Sequence, residues 1–158
     1  MIEIVGNIKD EVSKLFNKID FFTSISWIKP DLLHKFVPEG FRISSNSSWC
    51  SYINYKQSNF YWHIDDFGIK DGKLLMCSYK DNVQVSDFGD NYDKIEEFLP
   101  TSANFLNNKN KRDKLIRDNY ITPDIGDVIL ADYKTIHRTP ISALHNNRLV
   151  LRLFLEEK

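Results

Sequence analysis

The segment Tyr61-Trp-His-Ile-Asp-Asp66 holds the first residues of this chain that could do chemistry as a set. His63 and Asp65 stand two apart, and on an extended strand residues i and i+2 project from the same face. An imidazole and a carboxylate would then leave one strand side by side. A second imidazole, His137, follows 74 positions later. Two histidines and one carboxylate leave the remaining octahedral positions open, the arrangement that suits ferrous non-haem iron. His-x-Asp alone arises easily by chance in a chain with 4 histidines and many aspartates, so its weight comes from what surrounds it.

Arg148 stands 11 positions after His137 and Arg152 stands 15 after it, within Arg148-Leu-Val-Leu-Arg-Leu-Phe-Leu155. On a strand, Arg148, Val150, Arg152 and Phe154 share one face, and Leu149, Leu151, Leu153 and Leu155 share the other. Two arginines on a strand whose opposite face is all leucine are costly unless each meets an anion or water. Guanidinium forks pair bidentately with carboxylates, so a dicarboxylic cosubstrate would meet that demand. The plainer alternative is a solvent-facing strand with two hydrated arginines.

These residues need a scaffold, and 158 residues are enough for one domain, 1–158, with a sizeable core. A net charge of -1 argues against a nucleic-acid or anionic-membrane partner. No apolar run is long enough for a membrane span, and the N-terminus lacks a signal-peptide core. Cys50 and Cys77 do not make a disulfide framework. They read as buried thiols of a cytoplasmic protein, a setting that also suits ferrous iron.

Along the chain, Ile2 to Val5 is a short extended candidate. Ile8, Val12, Leu15, Phe16 and Ile19 form a helical stripe, and Asp31 to Val37 a second, short helix. Trp49–Tyr55, Phe60–Asp65, Lys73–Tyr79 and Val83–Ser86 read as strands, with Asp71-Gly72 as a hairpin-like turn signal. Tyr92–Leu99 and Ser102 to about Arg117 read as a helical insertion, the second piece carrying Lys109, Lys111, Arg112, Lys114 and Arg117. That basic run is a solvated helix face or, alternatively, a lid for an acidic substrate. Val128–Tyr133 and Arg148–Leu155 read as the closing strands. The expected class is α+β, on an antiparallel β-core.

His63-Ile-Asp65, the Pro123-Asp-Ile-Gly126-Asp127 turn and His137 with Arg148 after ten intervening residues occur in an order that resembles the Fe(II)/2-oxoglutarate-dependent oxygenase superfamily. The resemblance spans about Trp49 to Leu155. It implies a double-stranded β-helix (jelly-roll, cupin-like) core with N-terminal helices and a helical insertion. It also implies His63, Asp65 and His137 as iron ligands, and Arg148 as the holder of the far carboxylate of 2-oxoglutarate. In the taurine dioxygenase-like branch a second arginine, at the place of Arg152, meets the substrate's anionic group. Tyr52 and Asn54 are candidate polar contacts to the cosubstrate. Arg138 and Thr139 would shape the pocket mouth, and Asp66 would support a ligand histidine or lie on the surface. His34 and His145 read as non-ligands.

Two departures bear on the branch. Val150 stands where one plant-type branch has serine, and the chain is short for the superfamily. Asp65 is the acidic ligand that halogenases of this class lack, so oxygen transfer is expected. The implied reaction couples oxidative decarboxylation of 2-oxoglutarate, with O2, to hydroxylation of a small anionic metabolite such as an amino acid or related acid. The alternatives are a hydroxylase of a protein side chain or nucleobase, and a non-catalytic metal- or ligand-binding β-barrel.

Overall fold

The computed structural model describes residues 2–18, 31–44, 62–63, 72–86, 116, 119–133, 135–144 and 147–158 together with the main chain of 49–53. In it, nine strands form two antiparallel sheets. The larger sheet contains β1 (Ile2–Asn7), β7 (Asp127–Asp132), β4 (Lys73–Tyr79), β9 (Arg148–Glu157) and β2 (Phe41–Ile43) in that order, with β3 (Trp49–Ile53) also on β9. The smaller sheet contains β6 (Tyr120–Ile121), β5 (Gln84–Ser86) and β8 (His137–Arg138). His63 joins it through a bridge to His137. The α+β class and the antiparallel core expected from the sequence are both present.

One face of the larger sheet carries Leu149, Leu151, Leu153 and Leu155 of β9 with Leu75 and Cys77 of β4 and Val128 of β7. Helix α1 (Lys9–Lys18) and a 3-10 helix (Asp31–Phe36) cover it with Ile8, Val12, Phe16 and Leu33. Each such side chain contributes about 1.5–3 kcal/mol when fully buried. The i, i+4 spacing of Ile8, Val12 and Phe16 is what turns one helical stripe onto the sheet. Asp10 and Glu11 in the first turn of α1 and Lys18 in its last turn complement the helix dipole. The second expected helix is a tighter 3-10 turn, ending one residue earlier than expected.

The opposite face presents Leu74 and Met76 of β4, Ile129 and Ala131 of β7 and Phe154 of β9, which pack with Val85 of the smaller sheet and Val83 just before it. The protein is therefore layered as helices, larger sheet, smaller sheet. The chain crosses repeatedly between the sheets: β3 in the larger, His63 in the smaller, β4 back in the larger, β5 and β6 in the smaller. It then enters β7 in the larger, β8 in the smaller and β9 in the larger.

Strand β4 is hydrogen-bonded to β9 along its whole length and to β7 over Lys73–Met76. With both edges taken, it cannot form the hairpin with 60–65 that Asp71-Gly72 suggests, and His63 instead pairs with His137. Of the expected helical insertion only Ile116, helical and buried, and Asn119 onward are described. The basic residues 109–114 and Arg117 lie outside the described residues. No described helix is long and apolar enough to cross a membrane.

Cys50 and Cys77 both stand opposite Leu151, on either side of β9. Two strand spacings separate their main chains by about 10 Å, beyond disulfide reach. Burial, with the Asp127 charge adding to it, pushes the Cys77 thiol up to about 12. At most one of the two thiols in the folded protein should react with a disulfide reagent at mildly alkaline pH, and both after denaturation. Rapid reaction of both without denaturant would show that the sheet core opens.

The turn into β7 is fixed by Asn7 and Asn82. Asn7 Nδ2 donates to Ile125 O (3.2 Å) and Asp127 Oδ1 (2.9 Å), and Asn82 Nδ2 donates to Asp124 O (2.8 Å) and Asp127 O (3.1 Å). Gly126 sits at φ +86°, where an added Cβ would lie 2.5 Å from Lys9 Cα. Gly40 has a similar φ of +84° but open space around it. Gly40→Ala should cost about 1 kcal/mol from backbone strain alone. Gly126→Ala should cost about 3 kcal/mol, because the main chain of α1 must also move. Equal losses in urea denaturation would mean that the Gly126–Lys9 contact yields freely.

Candidate active site

Between the two sheets lies a cavity lined by residues from five places in the chain. Met76 and Ser78 come from β4, and Arg148, Val150 and Arg152 from β9. His137, Arg138 and Thr139 come from β8 and the residue after it, while His63 and Val83 complete the lining. Register explains the convergence on the larger sheet. Ser78 stands opposite Val150 and Met76 opposite Arg152, so alternate residues of both strands project to the same side.

His63 and His137 form the cavity's imidazole pair. Their main chains exchange both hydrogen bonds, His63 N to His137 O at 3.0 Å and His137 N to His63 O at 2.9 Å. The ring centroids are 4.5 Å apart at an interplanar angle of 54°. His137 Nδ1 lies 3.0 Å from Thr135 O, and a carbonyl can only accept. Nδ1 therefore carries the proton, and in the neutral ring Nε2, a buried atom, holds the lone pair a metal would use. An imidazole oriented by a carbonyl in this way fits a metal ligand.

Arg148 forms the other pole. It is 2% exposed. Its Nη1 donates to Thr139 Oγ1 at 2.5 Å and its Nη2 to Ser78 Oγ at 2.9 Å. Thr139 belongs to the smaller-sheet side and Ser78 to the larger, so the guanidinium ties the two sheets together. Both partners are neutral hydroxyls, and among the described residues Nε has no hydrogen-bond partner. Burial, then the nearby Arg152 charge, draws the Arg148 pKa down to about 10, with Asp81 opposing. Keeping this cation in the folded protein at neutral pH costs about 3 kcal/mol on that basis, at any pH below about 10. A buried cation with neutral partners is energetically suited to receive an anion.

The solvated alternative for the β9 arginines is thus excluded for Arg148. Of the residues singled out from the sequence, His63, His137, Arg138, Thr139, Arg148 and Arg152 meet at one cavity. Asp65, Asn54, Asp66 and His145 lie outside the described residues. Tyr52 is described along its main chain only, opposite Leu149. His34 lies on the 3-10 helix with its Nε2 3.6 Å from the exposed Asp31 carboxylate, remote from the cavity. Among the described residues no three His, Cys, Asp or Glu side chains cluster for a metal, a set that does not include Asp65.

Ser78 and Thr139 are the functional side chains that sequence reasoning missed as Arg148 partners. A signal for each was present. Ser78 shares strand parity with Leu74 and Met76, and Thr139 stands two after His137. Arg138, expected at the pocket mouth, is among the residues lining the cavity, and its guanidinium lies over Trp62, 4.3 Å from the ring centroid, while Nε donates to Gln84 Oε1 at 2.8 Å.

No protein-family model matches the chain, and no curated protein matches it.

Because burying the Arg148 cation costs folding free energy, Arg148→Met should leave the protein as stable as the wild type or more so, by up to about 3 kcal/mol. Chemical denaturation measures this. A loss above about 2 kcal/mol would assign the guanidinium to the scaffold instead.

Proposed function

We propose that this chain is an Fe(II)/2-oxoglutarate-dependent oxygenase that hydroxylates a small anionic metabolite. The observation that carries the reading is Arg148: a buried guanidinium whose partners are two neutral hydroxyls, lining the same cavity as an oriented pair of imidazoles. In this reading His63 and His137 hold ferrous iron together with Asp65, and Arg148 holds the far carboxylate of 2-oxoglutarate. Ser78 and Thr139 accept from Arg148, so their own hydroxyl protons are available to the same carboxylate. Arg152, four residues further along the same face of β9, meets the substrate's anion. Tyr52 and Asn54 remain candidate cosubstrate contacts on or next to β3.

The bound iron and 2-oxoglutarate supply dioxygen activation, the part of the chemistry no side chain provides. The chain supplies position, charge and dryness. Thr135 O fixes the tautomer of His137, and the apolar walls Met76, Val83 and Val150 exclude water from the reacting end. The fold supports the same reading. A chain that passes back and forth between two facing antiparallel sheets from β3 to β9 is compatible with a double-stranded β-helix. A buried, free Cys77 suits the reducing cytoplasm in which ferrous iron persists.

Anaerobic titration with Fe(II) and 2-oxoglutarate tests the proposal. The wild type should develop a weak visible absorption band that requires both additions, and His137→Ala should abolish it. Arg148→Met should weaken 2-oxoglutarate binding about 30-fold or more while leaving metal uptake intact. Metal uptake with no dependence on 2-oxoglutarate would replace the oxygenase with a metal-binding barrel.

A further inference from the structure

The two histidines reach the cavity from slender supports. Strand β8 is two residues long. Among the described residues, one residue pair, His63 with His137, carries the whole main-chain connection between β8 and the 62–63 segment. That pair exchanges both hydrogen bonds, so in an antiparallel ladder the next pair outward is of the non-hydrogen-bonded kind, in which side chains approach more closely. Counting one back from His63 and one on from His137, that next pair is Trp62 and Arg138.

By strand alternation these two side chains leave their segments on the side away from the histidines, and they do meet. The Arg138 guanidinium carbon lies 4.3 Å from the Trp62 ring centroid and 5.3 Å from that of Tyr120. Trp62 and Tyr120 are themselves 5.3 Å apart. Trp62 packs with Ile116 and Ile136 in a small core of its own. On the other side of β8, Arg138 stands opposite Gln84 in register, and its Nε donates to Gln84 Oε1. The amide is held in that orientation because Gln84 Nε2 donates to Thr122 Oγ1 at 3.0 Å. One planar cation thus spans three neighbouring chain segments, stacking on one and hydrogen-bonding to another.

We propose that Arg138 is a positioning residue for the His63–His137 pair: laid on Trp62 and held by Gln84, it keeps the segments that present the two imidazoles in register from behind. The stack and the hydrogen bond both fall next to a histidine in sequence or in register. Trp62 precedes His63, Arg138 follows His137, and Gln84 precedes Val85, the register partner of His137. A shift of the 62–63 segment relative to β8 would have to break the stack before it could separate the rings. Lysine cannot replace the fork, since a point charge does not stack and hydrogen-bond in one plane. The inference rests on reading the histidine pair as a metal site.

Titration of the metal-free protein with Co(II), followed by visible absorption, tests it. Wild type, Arg138→Ala, Arg138→Lys and Arg42→Ala are compared, the last removing an exposed arginine paired with Glu156 at 2.8 Å. Arg138→Ala should weaken Co(II) binding about tenfold or more and change the band shape at saturation. Arg138→Lys should fall between it and the wild type, and Arg42→Ala should match the wild type. Unchanged affinity and band shape in Arg138→Ala overturn the proposal, as does an equal loss in Arg42→Ala. Should Arg138→Ala fail to fold, Arg138→Lys and Gln84→Ala decide in its place, and wild-type behaviour in both overturns the proposal. A wild type that takes up no Co(II) overturns the metal reading itself, an outcome distinct from any result on Arg138.

Discussion

A strand paired at both edges cannot move by one residue without turning its whole side-chain set over. Strand β9 is such a strand, with β4 along one edge and β3 and β2 sharing the other. Its register places four leucines among the helices and, by the same alternation, Arg148, Val150, Arg152 and Phe154 between the sheets. The leucines hold the arginines in place. Burial on one side supplies the free energy that keeps a charged, costly arrangement fixed on the other, so the scaffold and the cavity are two faces of one element.

The cavity is held together by polar contacts between segments far apart in sequence. Arg148 joins Ser78, 70 residues before it, to Thr139, 9 before it. His137 is tied to His63 through the main chain and to Thr135 through its ring. Such contacts are weak stabilisers when they desolvate a cation, and burial accordingly lowers the Arg148 pKa. A fold selected for stability alone would place an aliphatic residue at this position.

Much of this was legible beforehand because it follows from alternation. The two faces of Arg148–Leu155, the strand Lys73–Tyr79 and the stripe Ile8, Val12, Phe16 are period-2 and period-3.6 patterns that burial enforces. Hidden instead were features that depend on which strands become neighbours. Asp71-Gly72 has the composition of a hairpin turn, yet β4 takes β7 and β9 as partners, and local turn chemistry carries no information about that choice. Phe41–Ile43 was not anticipated as a strand because three residues show no periodicity. The place of the Arg138 side chain was likewise invisible, since it follows from the bridge between His63 and His137 rather than from its own neighbours in sequence.

The position of β9 in the chain carries a further consequence. Its three partners β2, β3 and β4 all precede it, by about 70 residues or more, and among the described residues β2 and β3 pair with it alone. During vectorial synthesis those two strands lack the β9 edge until it has left the ribosome, and the helical layer is covered by β4 and β7 but not yet by the β9 leucines. Assembly is thereby pushed toward a late, non-local step, which is slow and leaves open strand edges exposed to other nascent chains. Yield in the cell is then governed by how well those edges are shielded before the last strand arrives.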